Sequence, residues 1–351
     1  MGAILVFSSV ALACTDFTIK AKDGTVVVGR SMEFPIDLHS EIWVVPRGGQ
    51  FEVVNKAGVK GCRWTAKYGF MGINAFRIKD SYVEAMNEKG LAIDGLMFTG
   101  AVYQPVAAGK YVPLDKIAAW TMGNFATVAE VKKALAETNV AASELAKIKD
   151  MGLHLAFHDA AGNNLVVEFI DGQAKLYDNP LGVMTNRPEF DWQLNNLRNY
   201  INLDSHDKKP RQINGVKIEP TGVGNGLLGL PGDWTPPSRF VRASFCLDAA
   251  IRPKNAREAV NLAEHILNVV DIPKGVIKES TPLPSKELYG LAQWVIIKDL
   301  TNKILYYKTY DNTAWKSVDL KKIDLSAGAP SKSLTMADKE IRIIDVSGQL
   351  R

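Results

Sequence analysis

The strongest chemical potential in this chain lies at Cys14, because of what precedes it. Residues 1–13 carry no charge and end in Ala11-Leu12-Ala13, which reads as a secretory leader with a small-residue cleavage signal, although the basic residues that usually open such a leader are missing. Removing residues 1–13 exposes Cys14 with its thiol and a free α-amine on one residue. An α-amine titrates near ~8 and a thiol near ~8.5, so the amine can serve as base for its own sulfur and no partner histidine is required. Three other readings stay open at this point. The start could be truncated or misassigned; Cys14 could be an acylated lipoprotein cysteine, with Ala11 where leucine is usual; or it could be a small buried hydrophobe in a first strand.

The elements that must position this residue begin with it. Residues 14–20 and 25–30 are two β-rich runs joined through Lys22-Asp23-Gly24, a hairpin signal. A two-residue Asp23-Gly24 turn pairs Cys14 with Glu33 and puts Cys14 and Arg30 on opposite faces. A three-residue loop with Gly24 in a left-handed bulge pairs Asp16 with Arg30, which makes Cys14 and Arg30 diagonal neighbours on one face. The bulged form is predicted.

Further strands are predicted at 41–46, 51–54, 69–77, 84–87, 91–98, 154–158, 164–170, 174–177, 293–297, 303–309 and 314–320. Helices are predicted at 114–122, 128–137, 238–251 and 256–270, with capping patterns at Thr127 and Glu130 and at Asn255 and Glu258. Meandering strand pairs with helices grouped between them indicate an α+β layered fold of antiparallel sheets covered by helices. A cleaved leader over 1–13 and a single domain over 14–351 is the simplest organisation.

Composition narrows the function class. The chain has 351 residues, 46% hydrophobic and 23% charged, with a net charge of +4, too dispersed to argue for nucleic acid. Lys208-Lys209-Pro210-Arg211, flanked by Asp204 and Asp207, reads as a solvated loop. No apolar run after residue 13 is long enough for a membrane helix. The five histidines make no zinc pattern; only His154 and His158 are close, in a strand-like stretch, and neither metal nor cofactor is expected. Cys62 and Cys246 either pair or stay apart, and the sequence does not choose. Gly224-Asn225-Gly226-Leu227-Leu228-Gly229 matches a dinucleotide fingerprint in letters, but no good strand precedes it and Pro231-Gly232 follows, so a turned loop in a pocket wall is expected instead.

Five stretches remain: Cys14; Gly29-Arg30-Ser31-Met32-Glu33; Thr185-Asn186-Arg187-Pro188-Glu189-Phe190-Asp191-Trp192; Leu230-Pro231-Gly232-Asp233 with Ser238-Arg239-Phe240-Val241-Arg242; and Asp319-Leu320-Lys321-Lys322-Ile323-Asp324. Each has a dull explanation alone. In this order and spacing they resemble the choloylglycine hydrolase and penicillin V acylase family of N-terminal-nucleophile amidases along essentially the whole mature chain, and the exported Gram-negative branch most closely.

The resemblance implies a four-layer αββα sandwich with the nucleophile at the end of a central strand. It implies Cys14 as nucleophile, Arg30 beside its sulfur, Glu33 where relatives carry aspartate to hold the α-ammonium, Asn186 and the Met97 backbone N–H as oxyanion donors, and Arg239 as the second pocket arginine. Phe34 and Phe98 fall where relatives line the acyl pocket, with plain core packing as the competing reading. The implied substrate is a linear amide: a conjugated bile salt first, otherwise penicillin V or an N-acyl homoserine lactone. A periplasmic location, a homo-oligomer such as a tetramer, and no stable membrane insertion go with it. The rival from another class is a lipid-anchored, non-catalytic periplasmic binding protein.

Overall fold

A computed structural model of the chain describes residues 13–144, 151–279, 287–338 and 343–350. Residues 1–12 of the expected leader lie outside the described residues.

Strand β1 (Cys14–Lys20) and strand β2 (Val26–Glu33) form the first hairpin. Ala21 and Thr25 close the ladder, Lys22-Asp23-Gly24 is the three-residue loop, and Gly24 takes φ +91°, which a side chain rarely tolerates. The resulting register pairs Asp16 with Arg30 and Cys14 with Met32, the bulged alternative predicted from the sequence. Every residue of β2 is buried, so this strand has packing on both faces. Gly29 is required there: a Cβ at this position would lie 2.4 Å from the ring of Phe17, its partner across the hairpin.

The hairpin sits inside a six-stranded sheet ordered Val183–Met184, β1, β2, Ala292–Asp299, Ile304–Thr309, Lys316–Asp319. Facing it is an eight-stranded sheet ordered Gln173–Asp178, Asn164–Ile170, Leu153–His158, Ala92–Met97, Tyr82–Asn87, Phe70–Asn74, Glu41–Val45, Lys332–Thr335. All pairings in both are antiparallel.

Helices α1 (Ile117–Asn124) and α2 (Val128–Leu135) cover the outer face of the larger sheet. Helix α3 (Phe190–Asn196) follows the Asn186 loop, and helices α4 (Pro236–Ala249) and α5 (Ala256–Val270) cover the smaller sheet, completing an αββα sandwich. The buried stripe of α5, Ala259, Ala263, Ile266, Leu267 and Val270, follows the helical period, and its two alanines allow close approach to the sheet. Helix α2 has the full capping box between Thr127 and Glu130. At α5 only half forms: Asn255 caps the Glu258 N–H, while the Glu258 carboxylate accepts from Lys254.

Two expectations need correction. The strand predicted over 69–77 stops at Asn74, where the pairing bulges and the Asn74 side chain accepts the Glu41 N–H. Phe76 and Arg77 then take positive φ and turn Phe76 back toward Cys14. The strand Lys60–Thr65 was not anticipated, because its polar residues show no clean alternation; it pairs with Gln50–Val54 outside the two main sheets.

Gly29→Ala is expected to destabilise the protein by about 1–3 kcal/mol through overpacking against Phe17. Urea denaturation checks this, and an unchanged midpoint would show that the Phe17 ring has room to move.

Candidate active site

Cys14 is fully buried at the start of β1, with its sulfur at the wall of a cavity between the sheets. Because Asp16 pairs with Arg30, the Arg30 guanidinium reaches the sulfur, with Nη2 3.5 Å from Sγ. The same Nη2 donates to the Gly95 carbonyl at 2.9 Å, Nη1 donates to the Ser31 carbonyl, and Nε lies 2.9 Å from a Glu84 oxygen. Burial works against the Arg30 charge, but Cys14, Glu84, Asp94 and Glu33 outweigh it and raise its affinity for the proton. A fixed cation beside sulfur favours thiolate.

Asn186 comes to the same point from the loop before α3. Its Oδ1 accepts the Cys14 backbone N–H at 2.7 Å and Arg239 Nη2 at 2.9 Å, and these two donors fix the amide orientation. Its Nδ2 donates to the Met97 carbonyl at 2.8 Å, which leaves its second hydrogen uncommitted. His154 Nε2 bonds the Thr185 carbonyl at 2.8 Å, Gln193 donates to the Asn186 carbonyl, and Glu168 accepts the Phe190 N–H, so the loop is held from three sides.

Met97 lies at the end of its strand and lines the cavity. Its partner Leu153 gives both backbone groups to the Tyr103 hydroxyl, and on the other side the pairing ends at Glu84 and Asp94. With the Met97 carbonyl taken by Asn186 Nδ2, the N–H is the main-chain group that this strand end has left to offer the cavity edge.

Arg239 enters from the first turns of α4, fully buried. Nη1 donates to the Cys14 carbonyl and the Thr15 hydroxyl, and Nε to the Trp234 carbonyl. The Leu230-to-Arg242 motif builds this approach: Asp233 accepts from Thr235 and Ser238, and Arg242 ties the Pro231 and Asp233 carbonyls. Burial, with Arg242 and Arg30 nearby, lowers Arg239 to about 10, still cationic near neutrality.

With Ala13 attached, the Cys14 nitrogen bonds Asn186, and both Glu33 carboxylate oxygens are buried without a hydrogen-bond partner. Burial pushes its carboxyl up to about 7 against the pull of Arg239, the Ser31 hydroxyl and Arg30. The site therefore has one buried acid lacking a bonded cation, beside the nitrogen that cleavage would charge.

Phe34 lines the cavity, packed edge-on against Phe76 at 6.0 Å. Phe98 does not. It stacks on His154 at 4.7 Å with the Arg187 guanidinium 4.7 Å from its ring, so it supports the Asn186 loop. The rest of the wall is mostly apolar, including Met32, Leu38, Phe76, Met97, Met151 and Leu153, around about 70 Å³ of water-accessible space. The Gly224–Gly229 segment forms a turn with Gly226 buried and Gly224, Leu228 and Gly229 exposed, and it contributes nothing to this wall. Cys62 and Cys246 are free and half-buried. Among the described residues one group has metal-ligand composition, Asp16, Asp94 and His158, and there the Lys298 ammonium, bound to Asp94, already supplies positive charge. No described helix is long and apolar enough to cross a membrane.

A family model for linear amide C–N hydrolases of the choloylglycine hydrolase family matches residues 14–337, starting at Cys14. The chain belongs to the choloylglycine hydrolase family. It is similar to the bile salt hydrolase/transferase of Clostridium perfringens, 33% identical over 319 residues that cover 89% of this chain and 94% of that one. A solved mutant of conjugated bile acid hydrolase from C. perfringens superposes with a TM-score of 0.81 at 33% identity, covering 95% of this chain and all of the other. Penicillin V acylase from Agrobacterium tumefaciens superposes at 0.75 with 27% identity, covering 94% of each chain. This is an enzyme of linear amide hydrolysis, which sets aside a non-catalytic binding protein. Sequence reading missed Glu84, although an acid inside the otherwise uncharged stretch Tyr82–Asn87 was a visible signal.

The Glu33 geometry has a pH signature. With Ala13 attached, its folded value of about 7 exceeds the ordinary 4.5, so the folded state binds the extra proton between these values. The stabilisation is present below 4.5 and lost as pH rises through about 7, roughly 3 kcal/mol in all. Urea midpoints of the Ala13-bearing chain at about pH 4 and about pH 8 are expected to show wild type losing stability relative to Glu33→Gln. Parallel behaviour would show that Glu33 is already ionised in the fold.

Proposed function

We propose that this chain, once cleaved before Cys14, hydrolyses the amide of conjugated bile salts, with the thiol as nucleophile and the α-amine of the same residue as base. The observation that carries the reading is the convergence of Arg30 on the Cys14 sulfur with Asn186 and Arg239 on its backbone, in a chain whose relatives across nearly its full length include bile salt hydrolases.

In this reading Cys14 Sγ attacks the amide carbonyl while the α-amine takes the thiol proton and returns it to the departing amine. The free hydrogen of Asn186 Nδ2 and the Met97 N–H receive the oxyanion, a role in which loss of one donor typically costs about 3 kcal/mol. Water then releases the acyl group from sulfur, with the amine again as base. Glu33 balances the charge of the ammonium that appears and disappears on Cys14, while Arg239 holds the Cys14 carbonyl and Asn186 in place. Export to the periplasm would supply the cleavage, and the leader sequence supports that location.

A second reading follows from the cavity. Its mostly apolar lining and about 70 Å³ of water-accessible space are small beside a steroid acyl group and suit a straight acyl chain or an aryloxyacetyl group. Penicillin V and N-acyl homoserine lactones are therefore the alternative donors. Steady-state kinetics on glycine and taurine bile conjugates, phenoxyacetyl amides and acyl lactones decides between them. The highest kcat/KM is expected on a bile conjugate; a clear preference for phenoxyacetyl or acyl lactone would replace the first reading with the second.

Cys14→Ser is expected to mature normally and lose nearly all turnover; turnover at the wild-type rate would refute the mechanism. Asn186→Ala is expected to lower kcat about 10²–10³-fold, with circular dichroism checking that the variant is folded. A smaller loss would show that the main-chain donor carries the oxyanion alone.

A further inference from the structure

The Arg30 guanidinium is held from the far side by a run of buried charges the mechanism above does not use. Arg30 Nε is 2.9 Å from Glu84 Oε1, and the other Glu84 oxygen is 3.7 Å from Lys298 Nζ. Lys298 bonds Asp94, whose second oxygen is 3.8 Å from His158 Nε2, and that nitrogen is 2.9 Å from Asp16 Oδ1. His158 Nδ1 meets Asn164 at 2.7 Å and Thr18 at 2.9 Å, where the run reaches half-buried residues. Arg30, Glu84, Lys298, Asp94, His158 and Asp16 are each no more than 1% exposed.

The run crosses the interface between the two sheets at every step but one, Asp94 to His158, which sit on neighbouring strands of the larger sheet. Arg30, Lys298 and Asp16 come from the smaller sheet, and Glu84, Asp94 and His158 from the larger, where Glu84 and Asp94 are cross-strand partners. Three acids face Arg30, Lys298 and His158; burial raises Glu84 and Asp16 toward their neutral forms against the pull of these cations, Lys298 leads the groups that hold Asp94 low, and Asp16 and Asp94 raise His158 against its own burial. Buried ion pairs are often replaceable by apolar residues at no loss of stability. What this one does beyond stability is visible at its end, where it fixes the guanidinium that reaches the Cys14 sulfur.

We propose that Glu84 is a positioning residue for the reaction: held by Lys298 and through it by Asp94, His158 and Asp16, it fixes the Arg30 guanidinium against the Cys14 sulfur and so sets that sulfur's reactivity. The inference rests on Cys14 being the nucleophile. The charged groups facing Arg30 are Cys14 on β1, Glu33 on its own strand, and Glu84 and Asp94 from the facing sheet, while Arg239 approaches Cys14 from α4. Among these, Glu84 is the carboxylate that the structure pairs directly with the guanidinium.

The test is Glu84→Gln in a Cys62→Ser/Cys246→Ser background, followed by the rate of Cys14 alkylation by iodoacetamide across neutral pH and by kcat and KM. Neutral glutamine leaves Arg30 without its anchor. Alkylation near neutrality is expected to slow about tenfold, with its pH profile displaced toward alkaline values, and kcat to fall by about a hundredfold with KM little changed. Glu84→Asp, which keeps the charge, is expected to recover most of both. A folded Glu84→Gln protein with the wild-type alkylation profile would overturn the proposal, as would an unmoved profile with kcat lost equally in the Asp variant. If Glu84→Gln alone does not fold, Glu84→Gln/Lys298→Met removes the opposite charges together and is expected to show the same slow alkylation; a wild-type rate there overturns the proposal too. Alkylation needs no substrate, so a wild type that cleaves no amide counts against the functional reading and leaves this comparison readable.

Discussion

With Gly24 holding the left-handed conformation that closes the first turn, Asp16 lies opposite Arg30 and Cys14 opposite Met32, which turns the guanidinium and the sulfur to one face of β2. A turn shorter by one residue would shift the register and send Arg30 to the other side of the sheet. Everything that acts on the sulfur depends on that register. The same pairing places Glu33 at the strand end nearest the Cys14 nitrogen, and it lets α4 deliver Arg239 to the Cys14 carbonyl.

Burial then sets the electrostatics. Cys14, Arg30, Glu33, Glu84, Asn186 and Arg239 all sit away from water, so each charge is governed by its fixed neighbours. Arg30 is strengthened as a cation by the acids around it, whereas Glu33, with no bonded partner while Ala13 is attached, is pushed toward its neutral form. Releasing an ammonium beside Glu33 would supply the missing charge. The site is complete in geometry with Ala13 attached, and the proposed cleavage would complete it in charge.

Much of this was legible because it rests on local rules. The Lys22-Asp23-Gly24 loop specified the register, the period of apolar residues gave α5 its bounds of 256–270, and the motifs around Arg30, Asn186 and Arg239 do converge on Cys14. What escaped depends on tertiary contacts. The run through Phe76 reads as a strand until the pairing is seen to bulge at Asn74, whose side chain accepts the Glu41 N–H. Phe98 and Phe34 look alike in the sequence, and only the stacking of Phe98 on His154 separates them. Glu84, Lys298 and Asp16 lie far apart along the chain and meet only because two sheets close on each other.

The most direct measurement of the central claim compares two mature chains released from an engineered leader by a site-specific protease, one beginning at Cys14 and the other at Ala13, with intact mass confirming each terminus. The thiol, Arg30, Asn186 and Arg239 are the same in both, and only the first has a free amine on the nucleophile. The account predicts amide turnover by the Cys14 chain and none by the Ala13 chain. Equal turnover by the two would contradict it.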